Sequence, residues 1–509
     1  MKYRNTLSLP ILITLSCLVS LSTSSSSSVS LPNFIFVLAD DLGYNAPGYR
    51  NPQLITPTLD NLAMNGVILD SFYTYKYCSP SRASFLSGRY PFKIESTRNN
   101  LIPFSQEDGV NLNFTFIPEK LKSAGYISHH IGKWHQGLYK PQYTPVGRGF
   151  ASSDGFLAGG QDHFDQLSFG ECGCKQYDIW VNTTIDPALQ GQYNAFRFTQ
   201  RATDIIINHA NNQPNTPLFM YVALQNVHAP IEAYKSYETL YPNIKYPLQL
   251  AFDAMVSTID DTVKNITETL KTTGLWNNTI FIWASDNGTP VDVGGSNYPL
   301  KGSKSTNFEG GVRTPAFVNG GLLPDATRGT RRSEMIHILD FYATFATLAN
   351  VDPNDGTAIP IDSLNMWPYI SGMNTTSPRT RIVHQHDMYT GSPLGAVRDG
   401  DYKLIVNEEN FATLYGNDTI GNFTPPASGK LPNPTQCSPT KPCLFDIVND
   451  PLETTDLSST MPKKVKELMD IFLSYNNEHH PPTANPLKNE TACCAVSANN
   501  GGYLAPWAT

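Results

Sequence analysis

Four short apolar runs govern what this chain can fold into, because each ends abruptly in polar residues. FIFVLA (34–39) is followed by Asp40 and Asp41, and GYISHHI (125–131) by Gly132, Lys133, Trp134 and His135. LFMYVAL (218–224) leads into Gln225, Asn226, Val227 and His228, and TIFIWA (279–284) into Ser285, Asp286, Asn287 and Gly288. Continuous apolar runs of this length read as strands of a parallel sheet buried on both faces. Helical patterns fill the intervals: 57–65, stopped by Gly66; 116–124, stopped by Gly125; 250–270; and 334–349. In 250–270, Phe252, Met255, Ile259, Val263, Ile266 and Leu270 recur at spacings of three and four, an amphipathic stripe. Asp260 and Asp261 then read as that helix's solvated face. The alternation predicts an α/β fold, a large doubly wound, mixed but mostly parallel sheet flanked by helices. Ligands of such sheets bind beyond the carboxyl ends of the strands, where these polar clusters are expected to meet.

Composition shifts after about residue 371. Strand-like pieces (382–386, 396–398, 402–406) alternate with Gly, Pro and Asn, and a helix is expected over 463–475. These predict a smaller C-terminal α+β subdomain with a short antiparallel sheet, spanning 376–509 after a main domain of 31–375. From Pro481 onward the chain reads as loop. The net charge of −8 and the absence of a long basic run give nucleic-acid binding no electrostatic support.

The N-terminus reads as a secretory signal over 1–25, with cleavage up to about residue 30. Lys2 and Arg4 precede the apolar stretch 7–21, and a serine tract follows. Pro10 and the short apolar length argue against a stable membrane anchor. Export, to the exterior or to lysosomes, agrees with Asn-x-Ser/Thr sites at Asn113, Asn182, Asn265, Asn277, Asn374, Asn417, Asn422 and Asn489. Asn287 also fits that pattern but belongs to a polar cluster expected to be buried. Of eight cysteines, Cys17 would leave with the signal. Cys437 and Cys443 are close enough to pair, with Pro439 and Pro442 shaping their loop. Adjacent Cys493 and Cys494 call for distant partners, with Cys172 and Cys174 as candidates and the connectivity open. Cys78 is left single.

Cys78 opens the stretch CSPSRASFLSGR (78–89). Ser79 as cap, Pro80 in the first turn and Gly88 as stop predict a helix, with Cys78 at its N-terminus and Arg82 one turn on. A helix N-terminus favours an anion. Asp40, Asp41, Asp286 and Asn287 offer oxygen ligands only, the preference of hard cations such as calcium and magnesium. Lys133 and His135, two apart, would face one side of an extended segment. Lys301, Lys304 and Arg313 lie in LKGSKSTNFEGGVR, the first and last being equally readable as surface charges. His129 and His130 fall inside a strand and read as structural. Cations around a metal site suit a tetrahedral oxyanion, sulfate or phosphate.

CSPSRASFLSGR resembles the signature of the formylglycine-dependent sulfatases, in which a modifying enzyme oxidises the cysteine of Cys-x-Pro-x-Arg to formylglycine (3-oxoalanine). ADDLGY, GKWHQG, VHAP, SDNG and LKGSK resemble other sulfatase blocks in the same chain order. Gln136 departs from the leucine common in the GKWHLG block. GRGFASSDGFLAGGQDHF and LWNNTIFIWASDNG are similar to the arylsulfatase B, or N-acetylgalactosamine-4-sulfatase, branch.

The resemblance implies a sulfuric-ester hydrolase acting on aryl sulfates or sulfated carbohydrate, matured by a formylglycine-generating enzyme. It implies that Cys78 becomes the nucleophile as hydrated formylglycine. One Ca2+ per chain would be bound by Asp40, Asp41, Asp286, Asn287 and modified Cys78. Arg82 and Lys133 would hold the formylglycine, and His135 would act as base when sulfate is expelled. Lys304 and His228 would contact the sulfate, His228 donating a proton to the leaving alcohol. A phosphate or phosphonate ester hydrolase of the same superfamily, and a non-catalytic sulfated-glycan binding protein, are the alternative readings.

Overall fold

The apolar run after Leu31 forms β1 (Asn33–Ala39), every residue of which is buried. Its side chains divide between two cores. Phe34, Phe36 and Leu38 join Phe85, Leu86, Phe341 and Phe345 on one face, while Ile35, Val37 and Ala39 join Phe252, Met255 and Ile259 on the other. A strand covered on both faces has no use for polar alternation, hence the unbroken run. The other runs form β2 (Ile127–Lys133), β3 (Leu218–Ala223) and β4 (Thr279–Ser285). These strands stand side by side in the order β4-β1-β3-β2, all parallel, with Phe34 opposite both Ile280 and Phe219. Their shared direction brings all their carboxyl ends to one edge.

The structure is a computed structural model that describes residue 1 and residues 30–94, 105–168, 172–290, 292–389, 391–408, 437–478 and 489–508. Further strands complete a ten-stranded sheet. Ala316–Asn319 runs antiparallel to β4, and Ser152–Phe156 runs parallel to β2. A separate four-stranded antiparallel sheet comprises Arg381–Tyr389, Ser392–Asp399, Tyr402–Asn407 and Cys443–Asp446, and helix Pro462–Ser474 buries Leu468 and Phe472 against it. Leu31–Thr509 forms one compact body. Inside it Lys403 of the small sheet is fully buried between Glu309 (2.8 Å) and Glu453 (2.7 Å).

The helices that matter for the site are α1 (Pro57–Met64), α2 (Cys78–Ser87) and α3 (Pro247–Thr272). Asp260 of α3 is buried instead of solvated. Its carboxylate accepts from Leu59 N (2.7 Å) and Thr58 N (3.1 Å), satisfying first-turn amides of α1 that no residue of α1 itself caps. Asp261 accepts from Tyr237 Oη at 2.5 Å. The helix expected over 334–349 is confined to Asp340–Leu348, because Ile336–His337 pairs with Phe72–Tyr73 as a strand and Asp340 takes the His337 N–H at 2.8 Å.

The tail also differs from expectation. Glu490–Asn499 is a helix, α4, capped by the Asn489 side chain on Ala492 N (3.0 Å). Disulfides Cys172–Cys493 and Cys174–Cys494 hold it to the body, and Cys437–Cys443 closes the short loop as expected. Its small residues carry no amphipathic stripe, so its order comes from the cap and the bridges.

Asn113, Asn182, Asn265, Asn277 and Asn374 are exposed, and Asn489 is half-buried. Asn417, Asn422 and residues 2–29 of the expected signal lie outside the described residues. Among the described residues no helix is long and apolar enough to cross a membrane.

Candidate active site

Each central strand delivers its polar residues to the same point. β1 ends in Asp40 and Asp41. Asp40 N donates to Asn226 O (2.9 Å) beyond β3, and Asp41 N donates to Asp286 Oδ1 (3.1 Å) beyond β4. Asp41 takes a left-handed φ of 58°, which turns the chain out of the sheet.

Helix α2 enters from one side. It starts at Cys78, two residues earlier than a Ser79 cap would place it. Tyr77 occupies the cap position, and Ser81 reaches back to bond Tyr75 N (2.9 Å) and Tyr75 O (3.1 Å). Gly88 ends the helix with a φ of 69°, as its position in the sequence suggests. Cys78 is therefore the first helical residue, and it is the free cysteine among the described residues. Its Sγ lies 3.4 Å from Asp40 Oδ1 and 3.8 Å from Asp41 Oδ1. Burial drives the thiol pKa far up, and Asp40 adds to this against Lys133 and Lys304. That direction favours the thiol over the thiolate.

Cations are interleaved with the carboxylates. Lys133 Nζ sits 2.6 Å from Asp40 Oδ2, and Lys304 Nζ sits 2.6 Å from Asp41 Oδ1. Arg82 grips Asp286 Oδ2 through Nε (3.0 Å) and Nη2 (2.8 Å) and approaches Asp40 at 3.6 Å. For Asp40, burial acts upward, yet Lys133, His228, Arg82 and Lys304 outweigh it and hold the carboxyl well below the usual range. Burial and the neighbouring Asp40 charge push Asp286 up to about 7.

Two histidines complete the group. His228 Nε2 lies 3.8 Å from Asp41 Oδ2, while its Nδ1 donates to Ala229 O at 2.7 Å. Nε2 is thus the unprotonated position of the neutral ring. Burial, then Lys133, lowers its pKa to about 4. His135 reaches the site through a turn, with φ 58°, and not by strand alternation with Lys133. Its ring packs so closely on Gly159 that a Cβ there would come within 2.6 Å, and its buried Nδ1 has no partner. Burial, then Lys133 and Arg82, keeps it well below the normal histidine range. His228 and Lys304 retain side-chain exposures of 17% and 13%, whereas Asp40, Lys133 and Arg82 retain none, so the first two face the entrance.

Metal-ligating atoms of Asp40, Asp41, Cys78 and His228 all lie within 4.8 Å of one another. Asp286 stands just behind, its oxygens engaged by Arg82 and Asp41 N. Asn287 is fully buried; its Nδ2 donates to Asp41 Oδ1 (2.6 Å), and its Oδ1 has no partner among the described residues. An orphaned amide oxygen beside converging carboxylates fits a hard, oxygen-seeking cation.

Other sequence candidates lie elsewhere. Lys301 is buried, donates to Glu453 O (3.1 Å) and packs on Phe308; Arg313 donates to Asp70 O at 2.7 Å. Both are structural. His129 and His130 bond Ser152 and Ser153 across the sheet. Two nearby residues were given no role by the sequence. Gln136 is buried, with Nε2 3.2 Å from Ser79 O, and so touches the first turn of α2. Asn226 holds the end of β1 through its carbonyl, and a backbone contact of that kind leaves no trace in residue type.

Comparison with known proteins gives a consistent result. The family model described as Sulfatase matches residues 32–351. The chain is 34% identical to mouse (Mus musculus) arylsulfatase J over 94% of this chain and 80% of that protein. It is 29% identical to human (Homo sapiens) N-acetylgalactosamine-6-sulfatase over 84% of this chain and 81% of that protein. Among solved structures, Ps i-CgsB in complex with k-i-k-neocarrahexaose superposes with a TM-score of 0.74 at 27% identity, covering 92% of this chain and 98% of that one.

Proposed function

The chain belongs to the sulfatase family and is a sulfuric-ester hydrolase, and from that premise we propose that it cleaves sulfate esters of carbohydrates with Cys78, oxidised to formylglycine, as nucleophile. The observation that carries this reading is the placement of Cys78. It is a buried thiol at a helix N-terminus, 3.4 Å and 3.8 Å from two carboxylates that are themselves held by Arg82, Lys133 and Lys304. A thiol whose pKa is driven up by burial is a poor nucleophile, and its surroundings suit an oxygen species on a metal. Hydrated formylglycine would offer two hydroxyls, one to attack sulfur and one to expel sulfate afterwards.

Asp40, Asp41, Asp286 and Asn287 would hold a calcium ion, which when bound would neutralise charge on the sulfuryl oxygens. The chain's own groups do the rest. Arg82 fixes Asp286 through two nitrogens and so orients that carboxylate toward the end of β1. Lys133 and Lys304 hold ammonium groups on Asp40 and Asp41, the carboxylates beside the nucleophile, where they would meet charge developing on the sulfuryl oxygens. Fixed charges at such positions typically contribute a factor of about 10² to 10³ in rate. His135, neutral in its buried setting, is suited to accept the proton from the second hydroxyl. His228 holds Nε2 at the entrance, the atom from which a proton would pass to the departing alcohol. Relatives named for N-acetylgalactosamine sulfate support a sulfated sugar as the natural substrate. The expected leader and glycosylation sites support entry into the secretory pathway, where the modifying enzyme would meet the chain.

The test has two parts. Mass spectrometry of the peptide containing Cys78 is expected to find an aldehyde in place of the thiol. Cys78→Ala is expected to fold and to lose turnover of 4-nitrophenyl sulfate. An unmodified thiol throughout an active preparation would sink the proposal, and a preference for 4-nitrophenyl phosphate would move it to the phosphoester alternative.

A further inference from the structure

Beside the site runs an open groove of about 470 Å³, lined by Asp162, Leu167, Ser168, Cys174, Lys175 and Pro230. Its volume falls within the range of about 300–1,000 Å³ usual for small-ligand sites. The groove is tied to the catalytic centre by its own backbone. Pro230 follows His228 by two positions. His163, next to Asp162, holds His228 O through Nε2 at 2.9 Å. Gly159, slightly upstream, backs the His135 ring. One continuous segment therefore positions both histidines and then forms a wall of the groove.

Two of its polar side chains, Ser168 and Lys175, are left open among the described residues. Ser168 is 5% exposed, yet its Oγ has no hydrogen-bond partner among the described residues. A buried hydroxyl without a partner is costly to the fold, a cost that a ligand oxygen would relieve. Lys175 is exposed and forms no ion pair or hydrogen bond among the described residues. Asp162 directs Oδ1 to the N–H groups of Phe164 (2.8 Å) and Asp165 (2.7 Å), which fixes the orientation of its carboxylate. Leu167, Pro230 and the Cys174–Cys494 bridge supply apolar surface for the face of a sugar ring.

We infer that this groove binds the sugar residue adjoining the sulfated one, with Lys175 pairing an anionic substituent of that residue, carboxylate or second sulfate, and Ser168 bonding a ring hydroxyl. The inference rests on the sulfatase reading for the position of the scissile ester, but binding itself needs no turnover. The substrate class it selects is an acidic oligosaccharide and not a lone sulfated sugar.

The experiment is calorimetric titration of the full chain carrying Cys78→Ala. Three probes are used: a disaccharide of uronic acid and sulfated N-acetylgalactosamine, the same disaccharide with its carboxyl reduced to an alcohol, and the sulfated monosaccharide. Adding Lys175→Glu is expected to weaken the acidic disaccharide about tenfold or more, and to leave the carboxyl-reduced disaccharide and the monosaccharide within about twofold. Adding Ser168→Ala is expected to weaken both disaccharides about fivefold while Tm stays level or rises, since an unmet buried hydroxyl is removed. Equal binding of the acidic disaccharide by the parent and both variants, or no binding by the parent, overturns the inference. Wild-type turnover of 4-nitrophenyl sulfate is read separately. Its absence would count against the sulfatase reading and not against a groove that still binds.

Discussion

At the scale of single residues, His228 connects structure to rate most directly. Nδ1 is engaged by Ala229 O, so the ring must gain a proton at Nε2 before it donates one. Burial and Lys133 make that costly, with a pKa of about 4. The protonated fraction therefore falls as pH rises above about 4. For a sulfate ester with a poor leaving group, kcat/KM is expected to fall about tenfold per pH unit on that side. Replacing the leaving group with 4-nitrophenol, which needs no proton, should flatten the limb. His228→Ala should cost about 10² to 10³ with an alkyl or sugar sulfate and far less with the nitrophenyl ester. Equal losses on both esters would remove His228 from the acid role. Metal binding belongs to the same scale. With Asn287 Oδ1 unpartnered and carboxylates converging, prolonged chelation should abolish aryl-sulfate turnover and lower Tm, and calcium should restore both. Much of this site was legible before any coordinates. Asp40, Asp41, Lys133, His228, Asp286 and Asn287 follow the ends of apolar runs, and strand direction alone brings such ends together. What could not be read was geometry set by backbone. The left-handed turns at Asp41 and His135, and the Ser81 bonds that start α2 two residues early, depend on φ values that residue type does not disclose at non-glycine positions.

At the scale of elements, contacts between helices decide what periodicity cannot. Asp260 sits on the polar side of the α3 pattern, so in isolation it reads as solvated. In the fold, α1 approaches with unpaired first-turn amides, and Asp260 takes Thr58 N and Leu59 N. The partner is about two hundred residues away in sequence, beyond the reach of any local pattern. Asp260→Ala should cost about 1–2 kcal/mol, as loss of a helix cap does. The loss should appear as a lower denaturation midpoint with unchanged turnover per folded molecule, because α1 contributes no residue to the site. Lys403 makes a stronger case. It is fully buried between Glu309 and Glu453 and joins the small sheet to the main body. Lys403→Met would remove the ammonium shared by the two buried carboxylates, leaving Glu309 to Arg313 at 3.5 Å and Glu453 without its cation, and should destabilise by about 3–5 kcal/mol. The replacement matches the volume, so a loss much below that would mean the two acids share a proton once the lysine is gone; Glu453 already stands near 7 through burial.

For the whole molecule, the question is what holds the C-terminal segment on a body whose sheet is complete without it. Cys172–Cys493 spans 321 residues and Cys174–Cys494 spans 320. In the chain-entropy account, a loop of that length restricts the unfolded state by up to about 5 kcal/mol. The two bridges are not independent, however. Once either has closed the large loop, the other closes only a ring of a few residues, and closure entropy depends on the logarithm of the added length. Losing one bridge should therefore cost little, and losing both should cost nearly the full amount. Cys172→Ser/Cys493→Ser and Cys174→Ser/Cys494→Ser, made separately, are each expected to lower stability by about 1–2 kcal/mol, while the four-fold variant loses on the order of 5 kcal/mol. Equilibrium denaturation of the three variants measures the non-additivity directly. Additive losses would mean that each bridge acts through its local contacts, such as Gln176 on the Cys493 carbonyl at 3.3 Å, and not through the chain. The distinction bears on function because Cys174 lines the groove beside His228. If closure entropy dominates, one bridge suffices to keep that wall in place, and partial reduction should spare glycan binding until the second bridge opens.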